Sequence, residues 1–293
     1  MVTTILVEEE PDAPPRRWSL RETVGRHPTV AIGLVILLLL AAMAIAAPYL
    51  WTVDPLRISP AFRLRGPSER FWFGTDHVGR DVYSRIVYGS RISLQVGLAV
   101  AVIATAIGLV VGLVSGYVRW LDGFVMRIMD GLMSIPGILL AIALMALTRP
   151  SLETVIIAIV IPEVPRVVRL VRAVVLTLRE QPFVEAAEAV GTSFFNTLRR
   201  HILPNAVAPL IVQATYICAS AMITEAILSF LGAGIPPEVP SWGNVMAEGR
   251  QYVLVAFHLI AVPGAFLTVT VLAVNLLGDG LRDGLDPRLR RRL

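Results

Sequence analysis

The chain has 293 residues, of which 55% are hydrophobic and only 16% charged, and its mean hydropathy is +0.70. Soluble domains hold about 45–50% apolar residues, so this composition excludes a soluble globular protein and points to an all-α membrane protein. The formal net charge of +4 rests on 26 basic residues that are all arginine, and without a lysine the chain cannot build a Walker-type phosphate loop to hydrolyse ATP itself.

Runs of about 20 apolar residues cross a bilayer as helices. Six are predicted: Val30–Trp51, Ile92–Val118, Met126–Leu147, Leu152–Val168, Val207–Leu231 and Val253–Leu277. Residues 1–28 carry Glu8, Glu9, Glu10, Pro11, Pro14 and Pro15, too polar and broken to pack, and are expected to be disordered at their start. The first run is too long and too far along for a cleaved signal, and no small-residue cleavage site follows it. It is kept as a span, with residues 29–91 forming the first helix and an extracytoplasmic loop.

That loop, Thr52–Arg91, contains Phe73-Gly74-Thr75-Asp76-His77-Val78-Gly79-Arg80-Asp81-Val82-Tyr83-Ser84-Arg85 and ends Tyr88-Gly89-Ser90-Arg91. Thr75 or Asp76 can cap an amphipathic helix lying in the interface, with Val82, Ile86 and Val87 facing down and the arginines up. Span two carries Ala104, Gly108, Gly112 and Gly116 every four residues, a small face that lets another transmembrane backbone pack closely. Pro136-Gly137 permits a kink in span three. Met126, Met129, Met133 and Met145 along that span read first as core, with Met133 kept as a candidate for the translocation pathway.

Span four is broken in sequence by Pro162, Glu163, Pro165 and Arg166, and an interrupted helix is expected. At 1.5 Å per residue Glu163 falls about 15 Å into a core of about 30 Å. A carboxylate at that depth either serves a function or pairs locally with Arg166 at a helix end. Next comes a polar island, Glu185-Ala186-Ala187-Glu188-Ala189-Val190-Gly191, and then His201-Ile202-Leu203-Pro204-Asn205. Pro182 suits the first turn of a helix, and Ala186 and Ala187 admit a close surface. Gly191 can take the left-handed conformation that ends the helix. Thr192 or Ser193 can cap a second short helix that Pro204 closes.

Span five ends in Glu225-Ala226-Ile227-Leu228-Ser229-Phe230-Leu231-Gly232, followed by Pro236-Pro237-Glu238-Val239-Pro240-Ser241-Trp242-Gly243-Asn244 and Gly249-Arg250. The tail reads Gly278-Asp279-Gly280-Leu281-Arg282-Asp283-Gly284-Leu285-Asp286-Pro287-Arg288. With both termini and residues 169–205 in the cytoplasm, seventeen arginines lie inside against nine outside, although Thr52–Arg91 alone holds seven. Cys218 is the lone cysteine, which excludes an internal disulfide, and His27, His77, His201 and His258 show no ligand spacing for a metal. The basic residues read as topology and lipid contact, since no aromatic-interleaved patch for nucleic acid stands apart.

The Glu185–Gly191 and His201–Asn205 segments resemble the coupling loop of ABC importer permeases. The 73–91, 225–250 and 278–288 motifs resemble the C-type permease subunit of dipeptide, oligopeptide and nickel importers. One departure is that relatives read Trp-Pro-x-Tyr-Ala-Arg where this chain has Val164-Pro165-Arg166-Val167-Val168-Arg169. The resemblance implies a six-span type I importer permease fold, with a five-helix core over residues 92–278, a coupling loop over 172–205 and a cytoplasmic tail over 279–293.

It also implies a non-catalytic subunit in the cell membrane that pairs with a related B-type permease, two ATPase subunits and an external substrate-binding protein, with ATP and Mg held by the ATPases and no cofactor by this chain. Glu185, Ala186, Ala187, Gly191, His201, Leu203 and Pro204 would couple to the ATPase. Glu163, Met133 and Glu225 would line the pathway, and Asp76, Arg80, Asp81, Arg85 and Trp242 would meet the binding protein. The proline-bearing spans would supply joints. Nickel or another small solute is the alternative cargo. An ion-coupled transporter using Glu163 or Glu225 is the alternative class, and no nucleophile and base pair supports an intramembrane hydrolase.

Overall fold

The computed structural model describes residues 28–285, which fold as helices and loops. The acidic and proline-rich start of the chain and the last arginines lie outside the described residues. The main helices are α1 Pro28–Ile45, α2 Val82–Tyr117, α3 Arg119–Met133, α4 Gly137–Ala146, α5 Leu152–Arg179, α6 Pro182–Ala189, α7 Phe194–Thr197, α8 Leu203–Phe230, α9 Trp242–Gly249 and α10 His258–Leu285. Among the described residues, four helical stretches are long and apolar enough to cross a membrane, namely those holding α1, α2, α8 and α10. A fifth crossing is available if α3 and α4, bent 84° across Ser134–Pro136 beside the expected Pro136-Gly137 kink, act as one span. α5 is about 42 Å long but carries Glu163, Arg166, Arg169 and Arg172 along its middle.

Several boundaries move from where the sequence put them. α2 is one rod of about 54 Å that begins at Val82, so the separate interfacial helix does not form. Its cap is Asp81, whose carboxylate accepts the Ser84 amide at 2.9 Å. α5 runs unbroken through Pro162 and Pro165 and on into the expected coupling loop as far as Arg179. Each proline removes one backbone donor, which a helix packed on several sides tolerates. Pro204 opens α8 instead of closing a short helix, because in a first turn its missing N–H would have had no partner anyway. α10 continues past Leu277, the expected end of the apolar run, through Gly278 and Gly280. A Cβ on Gly280 would sit 1.8 Å from Val30 of α1 and one on Gly278 would sit 2.3 Å from Thr215 of α8, so both glycines serve close packing.

The expected small face of α2 does form the centre of the bundle. A Cβ on Gly108 would lie 2.4 Å from the Val167 Cβ, on Gly112 2.7 Å from that of Val171, and on Gly116 2.8 Å from that of Val175. Ala104 and all three valines are fully buried. Only residues without a side chain let α5 approach so closely, and membrane helices associate through such contacts because lipid supplies no hydrophobic drive between them. α8 packs against both helices of this pair, α10 packs on α8, and α1 packs on α10 and α2.

Gly112→Leu must push α5 away or distort it, at a cost of about 1–3 kcal/mol or more. Its melting temperature in detergent should fall well below that of Gly123→Leu, where a side chain meets open space. Equal melting temperatures for the two variants would contradict the seam.

Candidate functional site

Three groups of residues answer to the sequence expectations, and they lie at three levels of the bundle.

The first is the loop between α5 and α8. α6 opens on Pro182 as expected and ends in a Schellman turn, with the Gly191 amide donating to Glu188 at 2.9 Å and the Thr192 amide to Ala187 at 3.0 Å. Gly191 has φ +81°, the left-handed value the turn requires. Ser193 sits at the cap position of α7 without making a side-chain capping bond, and a single π-turn, Leu198–Ile202, joins α7 to α8. Val184, Thr197 and Ile202 turn inward, whereas Glu185, Ala186, Val190, Gly191 and Phe195 face out, with Ala187 and Leu203 half-buried and Pro204 exposed. His201 lies against the ring of Phe183 at 6.1 Å and its carbonyl accepts the Asn205 side chain at 2.7 Å.

Tyr117, which the sequence reading passed over, ties this loop to the seam. Its hydroxyl donates to the Glu188 carboxylate and its ring meets Phe194 edge-on at 4.8 Å. Arg179 donates to the Gly116 carbonyl at 3.2 Å beside it. A tyrosine ending an apolar run is the available signal, because its ring and hydroxyl suit a boundary between lipid and water.

The second group is mid-helix. Glu163 is buried, with Arg166 Nη1 at 3.3 Å and Ser220 of α8 at 3.5 Å. The local pair with Arg166 exists, but inside an unbroken helix and not at its end. Glu225 is buried apart from it and accepts the hydroxyls of Ser229 and Ser241, each at 2.9 Å. Met133 ends α3 with its side chain exposed, while Met129 and Met145 are core. α3 is held to α5 by ion pairs from Asp122 to Arg172 and from Asp130 to Arg169.

The third group is at the end of α2 away from the loop. The arginines expected to point outward turn in: Arg85 has 0% side-chain exposure and donates to Asp76 at 2.8 Å and to both oxygens of Glu248 on α9. Arg80 bridges the same two carboxylates. Trp242, also fully buried, donates from Nε1 to the Ile86 carbonyl at 3.1 Å. His77 stacks on Tyr252, ring centroids 5.7 Å apart, with Nδ1 3.7 Å from Glu248. Asp76, His77 and Glu248 could offer ligand atoms within 4.8 Å of one another, but the two guanidiniums already occupy both carboxylates and repel a cation. Burial pushes the Asp76 carboxyl up, and the opposing pull of Arg80 and Arg85 outweighs it, leaving the group below its ordinary value of 3.8.

A bundle with a small-residue seam, charged groups along one membrane helix and a folded loop at one end defines a multi-pass membrane protein of the transporter kind. The chain belongs to the binding-protein-dependent transport system inner membrane component family, which matches residues 104–291, and residues 25–67 match the N-terminal transmembrane domain of oligopeptide transport permease C. It is 57% identical over 267 residues to the probable peptide ABC transporter permease protein of Sinorhizobium fredii, covering 91% of each chain. It is 41% identical over 295 residues to the dipeptide transport system permease protein of Alkalihalophilus pseudofirmus, covering 97% of each. The glutathione transport system permease protein of Pectobacterium atrosepticum is 40% identical over 292 residues, covering 99% of this chain and 97% of that one.

The inward-facing MetNI methionine ABC transporter shares the fold, with a TM-score of 0.56 at 23% identity over 69% of this chain and 97% of that one. The chain therefore has the type I importer permease fold and is a non-catalytic membrane subunit that works with separate ATPase and substrate-binding proteins.

Because the folded-state Asp76 value is depressed, the stability it contributes is present above about pH 4 and is lost as pH falls through the folded value. Asp76→Asn leaves the guanidiniums of Arg80 and Arg85 to share the single carboxylate of Glu248, an imbalance that costs about 1–3 kcal/mol. The variant should melt lower than wild type at neutral pH, and the two should converge on acidification below pH 4, read by tryptophan fluorescence. A constant gap across that range would contradict the cluster's role.

Proposed function

We propose that this chain is the C-type permease of an importer for dipeptides or oligopeptides, forming half of the translocation pathway with a related B-type permease above two ATPase subunits. The peptide cargo rests on the relative of Sinorhizobium fredii, whose 57% identity extends over 91% of both chains. In this reading the complex crosses the membrane six times through this chain, with α3–α4 and α5 as the third and fourth spans. Both termini and the α6–α7 loop lie in the cytoplasm, as the arginine distribution favours, and ATP and Mg bind only on the partner ATPases.

The α6–α7 loop then docks on an ATPase through Glu185, Ala186, Ala187, Gly191 and the stretch from His201 to Pro204. ATP-driven closure of the ATPases moves this loop, and the Tyr117–Glu188 bond passes the movement to α2. Glu163, Met133 and Glu225 belong to the pathway region. At the external end, Asp76, Arg80, Asp81, Arg85 and Trp242 shape the surface offered to the binding protein by pinning the loop before α2 against α9.

Glu185→Lys reverses a docking charge, and Gly191→Leu forces a side chain into a left-handed conformation at about 1–2 kcal/mol. Both should leave the protein in the membrane while recovering several-fold less ATPase on co-purification, and normal recovery would refute the docking role. The cargo is tested by uptake in a deletion strain, with peptides of graded length and nickel as competitors. Competition by nickel and by no peptide would overturn the peptide assignment.

A further inference from the structure

The outward surface of the bundle is of two kinds. α1 and α2 expose Leu38, Leu39, Leu98, Val102 and Val110, as contact with lipid requires. α5 exposes Ile157 near its start, but from Arg166 onward its exposed residues form a stripe three or four residues apart that runs Arg166, Arg169, Ala173 and Thr177, with Glu180 just past its end. Arg166 stands fourteen residues past Leu152, about 21 Å along the helix and within a hydrocarbon core of about 30 Å. A guanidinium facing lipid there costs at least about 2.5 kcal/mol.

The pair it forms with Glu163 is lopsided. The Arg166 side chain is 46% exposed and that of Glu163 only 8%. Nη1 alone reaches the two carboxylate oxygens, both at 3.3 Å, and Nη2 and Nε donate to nothing among the described residues. Arg169, on the same stripe, is taken up by Asp130. Glu163, fixed from behind by Ser220, therefore holds one corner of a guanidinium whose remaining donors face away from the bundle. Two free N–H groups on a planar fork match a carboxylate.

We propose that Arg166 lines the translocation pathway and receives the carboxylate end of the cargo, with Glu163 as the positioning residue that aims it. The pathway half rests on the polar stripe, and the carboxylate half rests on the peptide reading above. The sequence had put Glu163 itself in the pathway; the geometry exchanges the two residues, placing the acid behind and the base in front.

The test uses the complete complex in lipid vesicles, with Cys218→Ala removing this chain's only cysteine. The thiol from Arg166→Cys should react with a charged, membrane-impermeant methanethiosulfonate in the nucleotide-free or the ATP-bound complex, while the thiol from Leu98→Cys should not. Alanylalanine should slow labelling of Ala173→Cys, two turns along the same stripe with Arg166 intact, several-fold, and its C-terminal amide should not. Absence of labelling in both nucleotide states would overturn the pathway assignment and place the residue against lipid or the partner permease. Labelling slowed equally by acid and amide, or by neither, would overturn the carboxylate assignment.

Uptake gives a second reading. Arg166→Lys should keep most alanylalanine transport, whereas Arg166→Gln should lower it about tenfold or more with ATPase recovery unchanged. Glu163→Gln should give an intermediate loss that leaves the Arg166 position accessible. Equal rates for the Lys and Gln variants would contradict a charge-based contact. Wild-type vesicles that import no peptide would overturn the peptide reading and the carboxylate half with it, while labelling would still decide the pathway half.

Discussion

The approach of α5 to α2 across Gly108, Gly112 and Gly116 is the contact on which the other features depend. Three missing side chains let Val167, Val171 and Val175 sit directly on a backbone, giving two long helices a common, fully buried seam. Both ends of that pair then carry chemistry. At one, Arg179 ties the end of α5 to the Gly116 carbonyl and Tyr117 fastens the α6–α7 loop to the seam; at the other, Arg85, three residues into α2, is locked to Asp76 and to Glu248 of α9. A single rod of about 54 Å thus joins the loop to the opposite surface, and in the proposed mechanism it is the path along which a push on the loop would travel.

Of the expected proline joints, the one in span three is a sharp bend while those of α5 lie within a continuous helix. Pro162 and Pro165 are enclosed by packed neighbours, Gly137 lying against Pro162, and their helix stays whole. The sharp change of direction is at Ser134–Pro136, where α3 and α4 meet at 84°. α3 reaches α5 through the Asp122–Arg172 and Asp130–Arg169 pairs, and the latter is substantially exposed on both partners. Exposed ion pairs contribute little and exchange readily with water. That makes the α3–α4 elbow better suited to movement than the seam behind it.

Local signals in the sequence were read well because their cause is local. Four-residue spacing of small side chains sets a helix face wherever the helix packs, and Gly191 after an Ala-rich helix ends it with a left-handed turn. The errors came where a distant partner decides the outcome. The last apolar run ends at Leu277, but the helix runs on through Gly278 and Gly280, which lie against Thr215 and Val30. Arg80 and Arg85 look like surface charge until Glu248, more than 160 residues on, is brought beside them. For Glu163, depth and the flanking prolines marked the position but could not show that Arg166 is the more exposed member of the pair, at 46% against 8%.

Distances between spin labels test most directly whether α2 and α5 move as one unit. With Cys218→Ala as background, labels at Val102→Cys on α2 and Ala173→Cys on α5 occupy exposed positions outside the seam. A rigid pair predicts a separation that stays within about 2 Å between the nucleotide-free and ATP-trapped complex, while the distance from Ala173→Cys to a label on the partner permease changes by more than that. A change of several ångströms within the α2–α5 pair itself would contradict a rigid seam as the carrier of motion.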